Sequence, residues 1–334
     1  MPLLPTLLHA TAFKTPLLRT LVPTLALAYG IQAAVAAPSI VWRSERFYDA
    51  SGSITYLACT GASLMLPVLR ARAAAGTLGT AGLLAEVVRS ANWRQLALSA
   101  AVGVWALRLG SFLLQRITAE NGRDSRFDSI RTSAPKFLGA FMAQATWVSL
   151  CALPVILVNA APASVFAALG PLVLATDALG LALYAFGIAF EAAADRQKSG
   201  WMHAKQRKEH DEDFLTSGLW GKSRHPNYFG EITLWTGVAT AAAGVVASKA
   251  GLAGLGLGVG LAGKAGAVAM CAASPAFVAF LLLKRKEVAN GEGGEKQVSG
   301  IPLSENKYDK RYGDRKDYQE WKRNTPMLFP KFFG

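Results

Sequence analysis

Charged residues are scarce in this chain, and their scarcity excludes an ordinary soluble domain. Only 17% of its 334 residues are charged, whereas 52% are hydrophobic, and the mean hydropathy is positive. Soluble domains carry about 25% charged residues. The composition therefore predicts a protein that is inserted into a membrane.

Cysteine is also rare. The three cysteines, Cys59, Cys151 and Cys271, all fall in apolar stretches. Their wide spacing excludes a disulfide framework and a cysteine metal cluster, and a cysteine inside a membrane span behaves as a small hydrophobic residue. We therefore expect no metal site.

Acidic residues are absent from the first 44 positions, which carry His9, Lys14 and Arg19. A cleavable signal peptide or a mitochondrial presequence would have this composition, but we favour an uncleaved first membrane span.

Long apolar blocks predict an all-α, polytopic transmembrane bundle. Each block has about 20 residues, the length that an α-helix needs to cross about 30 Å of hydrocarbon. The blocks lack the alternation of barrel strands, so helices are expected. The seven predicted spans cover residues 17–37, 52–69, 95–115, 137–160, 165–189, 229–248 and 265–283.

Small residues are frequent within these spans. They let helix backbones approach closely where lipid gives no hydrophobic drive to associate. In the fifth predicted span they are Gly180, Ala182, Ala185, Gly187 and Ala189.

Basic residues are unevenly distributed around the spans. The N-terminal side and the even-numbered loops hold 8 of the 35 Lys and Arg residues, which leaves 27 of the 35 for the other side. By the positive-inside rule, the loop after the third span, the loop 190–228 and the C-terminal tail are cytosolic. The net charge of +13 suits anionic lipid headgroups or a phosphate-bearing ligand, and nucleic acid is not an expected partner.

Three stretches are interpreted as connections. Residues 70–94 link two spans, and the glycine-rich run 249–264 is too flexible for a helix to be predicted there. Residues 284–300 have the composition of a charged, mobile surface linker.

The segment from 190 to 231 concentrates polar side chains at the edge of the predicted membrane region. Glu191, Asp195 and Lys198 follow each other at i, i+4 and i+7, which places them on one face of a helix. A solvated helix end would show the same pattern. The segment continues as TSGLWGKSRHPNYFGE, in which Pro226 suits a helix start, and a helix N-terminus favours anions such as phosphate.

Several motifs stand out along the chain: SRHPNYFGE, preceded by GLW and by E-x-x-x-D-x-Q-K, then WALRLGSFLLQR, SGIP at 299–302 and a tail of the form Y-x-x-W-K-R-N-T-P. With these motifs the chain resembles the membrane proteins with a steroid 5-alpha-reductase C-terminal domain, in particular their uncharacterised multi-pass branch. The wider superfamily includes sterol C14 and C7 reductases and isoprenylcysteine carboxyl methyltransferases.

The resemblance covers residues 100 to 330. It implies weakly matched N-terminal spans over 1–94 and a reductase-like membrane domain over 95–334. That domain would contain a cytosolic cofactor loop at 190–231 and a C-terminal tail at 284–334.

The resemblance further implies a cytosolic pocket that binds NADPH. Glu191, Asp195, Asn227 and Glu231 line up with polar contacts of that cofactor in the reductases. The implied neighbours are Lys198, Arg224, His225, Tyr228 and Arg323. Carboxylates can accept ribose and amide hydrogen bonds and arginine can clamp phosphates, although His225 also suits a capping or packing role.

Residues on the substrate side are less well defined, and no catalytic residue is assigned. Arg108 lies inside the third predicted span, where an ionised side chain is costly. Its presence indicates a functional site, a salt bridge to another span, or a side chain that snorkels toward the cytosolic interface. Asp49, Tyr56 and Tyr184 are further polar groups near a lipid-side cavity. Trp105 stands where the steroid enzymes commonly have a tyrosine, which weakens the case for a steroid enone.

The leading hypothesis is an NADPH-dependent reductase of a C=C bond in a steroid-like, sterol or fatty substrate that enters from the bilayer. Hydride delivery to such a bond also needs an electrophilic contact and a proton donor. The family resemblance suggests the endoplasmic reticulum, and a mitochondrial membrane stays open.

Two alternatives are an S-adenosylmethionine-dependent methyltransferase of a lipid or prenyl group and a non-catalytic lipid-binding protein. Glu231 after the glycine of YFGE resembles the reductases. The methyltransferases carry paired glutamates in the tail, whereas the segment SGIPLSE of this chain has only Glu305. Few intramembrane charges and no inverted repeat argue against a transporter.

Overall fold

The computed structural model describes residues 3–119, 122–283 and 300–332, and these residues form α-helices and no β-strand. The predicted all-α class is therefore confirmed. Except for Gly300, the predicted linker 284–300 lies outside the described residues.

Within the described residues, seven helices are long and apolar enough to cross a membrane, as predicted. They make the chain an integral, multi-pass membrane protein. In order they are α2 (Pro16–Val41), α3 (Tyr48–Ala74), α5 (Trp93–Ala119), α6 (Ala134–Ala160), α8 (Ala175–Gln206), α10 (Pro226–Val246) and α12 (Leu261–Leu283).

Shorter helices complete the chain. They are α1 (Leu3–Ala10), α4 (Leu83–Ser90), α7 (Ala163–Leu169), α9 (Leu219–Lys222), α11 (Lys249–Leu255), α13 (Ile301–Tyr312) and α14 (Lys316–Asn324). The chain divides into two compact units, the first made of Met1–Gly180 and Val238–Ser274 and the second of Leu181–Gly237 and Pro275–Gly334.

Helix α6 forms the centre of the first unit, where it packs against α2, α3 and α5. Nearly all of its last turns are buried, including Cys151, which packs as a small apolar residue as predicted. Polar side chains inside this unit bond each other: Gln144 Nε2 donates to Ser51 Oγ at 3.0 Å, and Gln32 Nε2 donates to Thr55 Oγ1 at 2.8 Å. The polar groups therefore hold α2, α3 and α6 in register.

The fifth predicted span, 165–189, is wrong in its boundaries. Helix α7 ends at Leu169, Gly170 adopts a left-handed conformation with φ 73°, and α8 starts only at Ala175. Glycine takes that conformation without steric cost, and the following Pro171 cannot continue a helix. Asp177 accepts a hydrogen bond from Leu174 N at 2.9 Å and forms a buried ion pair with Arg94 at 2.8 Å.

Two predicted connections also contain helices. Part of the glycine-rich run is helix α11, which Ser248 caps by accepting a hydrogen bond from Gly251 N at 2.9 Å. Helix α4 lies within 70–94. The predicted loop 190–228 is mostly helical too, because α8 continues to Gln206 and α10 starts at Pro226, the predicted start.

In the second unit, α8 and α10 cross at two glycines, Gly187 and Gly230. A Cβ atom on Gly187 would lie 2.5 Å from the backbone nitrogen of Leu234, and one on Gly230 would lie 2.7 Å from that of Glu191. The helix backbones are thus in contact, which confirms the close packing predicted from small residues in this span.

Gly300 fixes the start of α13 in the same unit. Its φ is 87°, and a Cβ atom there would lie 2.7 Å from the carbonyl oxygen of Leu282 at the end of α12. Only glycine fits both the left-handed conformation and this close approach.

Candidate functional site

The segment between α8 and α10 is held against the end of α8. Trp220 Nε1 donates to the Ala194 carbonyl at 3.0 Å, and Leu219 N donates to Gln197 Oε1 at 2.9 Å. These bonds bring the SRHPNYFGE segment beside the face of α8 that carries Lys198.

The C-terminal segment supports the same loop from its other side. Arg224 N donates to the Pro326 carbonyl at 2.9 Å, and Ser223 Oγ donates to the Leu328 carbonyl at 2.8 Å. The tail motif is therefore a structural part of this site, because its backbone carbonyl groups accept hydrogen bonds from the loop.

Glu305 of α13 binds three basic side chains. Its oxygens lie 2.9 Å from His225 Nε2, 3.0 Å from Arg224 Nη1 and 3.4 Å from Lys322 Nζ. Burial alone would raise the pKa of Glu305, but the hydrogen bond with His225 and the nearby positive charges lower it below its usual value. Glu305 therefore stays ionised and ties the tail helices to the loop before α10.

These elements enclose the inner pocket, a cavity of about 70 Å³. It is a narrow cleft. Polar groups on its wall are Lys198, Arg224, His225, Asn227 and Glu305. Aromatic rings on its wall are Trp201, Trp220, Tyr228, Tyr308, Tyr318 and Trp321.

Four polar atoms of residues that line the inner pocket are buried without a hydrogen-bond partner within the described part of the chain: Asn227 Oδ1, Arg224 Nε, Arg224 Nη1 and Trp321 Nε1. Of these, Arg224 Nη1 is ion-paired with Glu305 at 3.0 Å. Buried polar groups in native proteins are nearly always bonded, and exceptions call for a water or a ligand. The pocket thus offers one acceptor and two donors to a guest.

A second, wider cavity shares Lys198, Trp201, Ser304 and Tyr308 with the inner pocket. We call it the basic groove. Its further cations are Lys205, Lys307 and Arg311. Sequence reasoning missed these three residues, although the i, i+4 spacing of Lys307 and Arg311 on α13 was a usable signal.

Five of the nine predicted cofactor residues line the inner pocket: Lys198, Arg224, His225, Asn227 and Tyr228. The rings of His225 and Tyr228 stack with centroids 5.5 Å apart.

The other four predicted cofactor residues belong to the same unit, but are not among the lining residues. Glu191 and Asp195 lie on α8, Glu231 on α10, and Arg323 is exposed on α14. Their proposed cofactor contacts stay predictions.

The substrate-side candidates lie elsewhere. Asp49 is engaged by two arginines, at 3.0 Å from Arg116 and 3.1 Å from Arg126, which gives it a structural role that the sequence did not predict. Both arginines also contact Asp124. Burial alone would raise the pKa of Asp124, but hydrogen bonds from Arg126 and the charges of both arginines lower it.

Arg108 is partly buried in α5. Trp105 and Tyr56 are buried in the first unit and pack edge to face at 5.0 Å, whereas Tyr184 is partly buried on α8 in the second unit. The role of these residues toward a substrate stays a prediction.

Acidification is expected to loosen the inner pocket. Burial lowers the pKa of His225 below its ordinary value of 6.5, by more than Glu305 raises it. As the pH falls, His225 is therefore protonated in the unfolded chain before it is protonated in the folded chain. The contribution of His225 to the free energy of unfolding is fully present above pH 6.5 and decreases as the pH drops below that value. Melting temperatures between pH 8 and 5 should decline less for His225→Gln than for the wild type.

The control for this pH effect is His203→Gln, since His203 is exposed on α8. That variant should keep the wild-type slope. Equal slopes for His225→Gln and the wild type would contradict the assignment.

Comparison with known proteins adds one match. A family model described as "Protein of unknown function (DUF1295)" matches residues 72–261, more than half of the chain. No curated protein and no solved structure matches. The matched region begins before the predicted start at 100 and includes the SRHPNYFGE segment, but it stops before α13 and α14.

Proposed function

We propose that this chain, which belongs to the DUF1295 family of proteins of unknown function, is an NADPH-dependent membrane reductase. Its substrate would be a lipid-soluble molecule, steroid-like, sterol or fatty, that carries a carbon–carbon double bond. The motif resemblance to the steroid 5-alpha-reductase group supports this activity, and the endoplasmic reticulum is the proposed location.

The observation that carries the proposal is the set of buried polar atoms at the inner pocket that have no hydrogen-bond partner within the described residues. Asn227 Oδ1 is an acceptor without a donor, and Trp321 Nε1 is a donor without an acceptor, within the described residues. A carboxamide, such as that of a nicotinamide ring, has one group of each kind to offer them. The aromatic walls suit a flat ring, so the residues present fit the cofactor.

The cations around the pocket fit the rest of such a cofactor. Arg224 is 89% buried with one amine engaged by Glu305, and its Nε atom remains available to a phosphate or ribose oxygen. When bound, NADPH would supply the hydride. The chain's own part would be to bind the cofactor, to hold His225 through Glu305 and to exclude water with the aromatic rings.

The state of Glu305 supports a reductase over a methyltransferase. The related methyltransferases place paired glutamates in the tail, whereas Glu305 is the single tail glutamate at this motif and is engaged by Arg224 and His225. A carboxylate that is already paired with the Arg224 cation and bonded to His225 is a poor partner for the positively charged sulfonium of S-adenosylmethionine.

The test is thermal stabilisation of the detergent-purified full chain by NADPH, NADH and S-adenosylmethionine in parallel. A ligand that binds only the folded state raises its melting temperature. A shift with NADPH supports the reductase and justifies a screen of lipid alkenes. A shift with S-adenosylmethionine alone supports the methyltransferase, and no shift with any ligand supports a non-catalytic lipid-binding role.

Asn227→Ala should weaken NADPH binding about tenfold, because it removes one hydrogen bond to a buried partner. The matched control is Asn324→Ala, a change at an exposed residue at the end of α14, which should leave the affinity unchanged. Equal NADPH affinity of the wild type and Asn227→Ala would contradict the proposed binding mode.

A further inference from the structure

The basic groove gathers more positive than negative charge. Four cations line it: Lys198, Lys205, Lys307 and Arg311. Among the described residues, Lys205 forms an ion pair with Asp213 at 3.1 Å. Asp213 is shared with Arg315, which lies outside the groove. Asp195, three residues before Lys198 on α8, adds a negative charge that acts on Lys198, so the four cations of the groove meet two carboxylates.

Lys198 is the most constrained of these cations. Its ammonium group lies 4.7 Å from the ring centroid of Trp220, and both the negative charge of Asp195 and the positive charge of Lys307 act on it. The side chain is only partly exposed. Keeping two like charges near each other in a partly desolvated place is unfavourable unless an anion joins them.

Helix α13 supplies the opposite wall of the groove with a repeated pattern. Lys307 and Arg311 are one turn apart, as are Tyr308 and Tyr312, so cations and rings form adjacent rows. The Arg311 guanidinium lies 5.2 Å from the Tyr312 ring centroid, which helps to orient it. The groove has a volume of about 500 Å³.

We propose that the basic groove is a binding site for a phosphate monoester. Such a group carries close to two negative charges at neutral pH and three acceptor oxygens. It therefore satisfies Lys198, Lys307 and Arg311 together, which a singly charged carboxylate cannot do. Arginine adds a planar fork that matches phosphate oxygens.

This site does not depend on the reductase proposal. Lys307 and Arg311 line the basic groove and not the inner pocket. The same phosphate chemistry occurs on a nucleotide with a terminal phosphate ester and on a phosphorylated lipid headgroup. The experiment therefore has one arm for each source.

The experiment measures binding to the detergent-purified full chain. The nucleotide arm compares adenosine 2′-monophosphate with adenosine. The lipid arm compares dioctanoyl phosphatidic acid with dioctanoyl phosphatidylcholine in mixed micelles. We expect at least one phosphate monoester to bind while its neutral or zwitterionic counterpart does not, and the arm that binds identifies the source.

Variants decide whether the groove is the site. Lys307→Gln and Arg311→Gln should each weaken binding about tenfold, and Lys307→Arg should retain it. The matched control is Lys310→Gln, which removes the same charge from an exposed position of α13 outside the groove, and it should change the affinity less than about twofold.

Absence of binding in both arms would overturn the proposal, as would an equal loss with Lys310→Gln. The reductase proposal would survive either result, because its own test is the NADPH shift and its dependence on Asn227.

Discussion

Replacing Glu305 with alanine should detach the tail helices α13 and α14 from the loop before α10. Glu305 is 83% buried and contacts Arg224, His225 and Lys322. Without it, the Arg224 side chain, which is only 11% exposed, loses its carboxylate partner. Removing one member of a buried ion pair costs about 3 to 5 kcal/mol.

Glu305→Ala should increase local unfolding near the substitution before it lowers the stability of the whole protein. Hydrogen–deuterium exchange should rise in Ile301–Tyr312 and around Arg224, and NADPH stabilisation should be lost with it. Glu305→Gln should be milder, because an amide still bonds to His225. The control is Glu320→Ala on α14, where the side chain is exposed, and exchange there should match the wild type. Unchanged exchange in Glu305→Ala would refute the tethering role.

Gly187→Ala is expected to be strongly destabilising to the second unit. The new Cβ would lie 2.5 Å from Leu234 N and 2.7 Å from the Gly230 carbonyl oxygen. Both contacts are with backbone, so no side-chain rotation relieves them and the α8–α10 crossing must widen. Overpacking of this kind costs about 3 kcal/mol.

Helix α8 provides a matched control for this change. Gly200 lies on the same helix, and a Cβ atom there would meet nothing within 4 Å. Gly200→Ala should therefore stabilise the protein by about 0.5 to 1 kcal/mol through helix propensity. Melting temperatures should move in opposite directions for the two variants, and a similar shift for both would contradict a specific glycine contact.

The sequence predicts the membrane-spanning helices well because hydrophobic length is a local property. All seven spans correspond to apolar helices, and the close packing at Gly187 follows from residue size. The errors occur where apolar composition continues through a break, as at Gly170 and Pro171, or where a cap rescues a glycine-rich helix, as at Ser248. Those outcomes depend on single hydrogen bonds and backbone angles, which hydropathy does not report.

About half of the candidate site could be predicted from the sequence. The SRHPNYFGE motif led to Arg224, His225, Asn227 and Tyr228, which line one pocket. Arg323 was the residue of α14 predicted for the site, and it is not among the lining residues. The residues of α13 and α14 that do line the pocket were not predicted, because they come from about 80 to 100 residues further along the chain and meet the motif only through tertiary contacts.

The left-handed Gly300 has a practical consequence for the assays proposed above. Because Gly300 lies against the Leu282 carbonyl, residues 284–299 connect two chain ends that are already adjacent. Such a connection does not have to span a long distance, and the entropic cost of closing a loop changes only slowly with the length of the loop. A reporter sequence inserted there should leave α12 and α13 where they are, which makes this connection the place to attach a fluorophore for binding measurements.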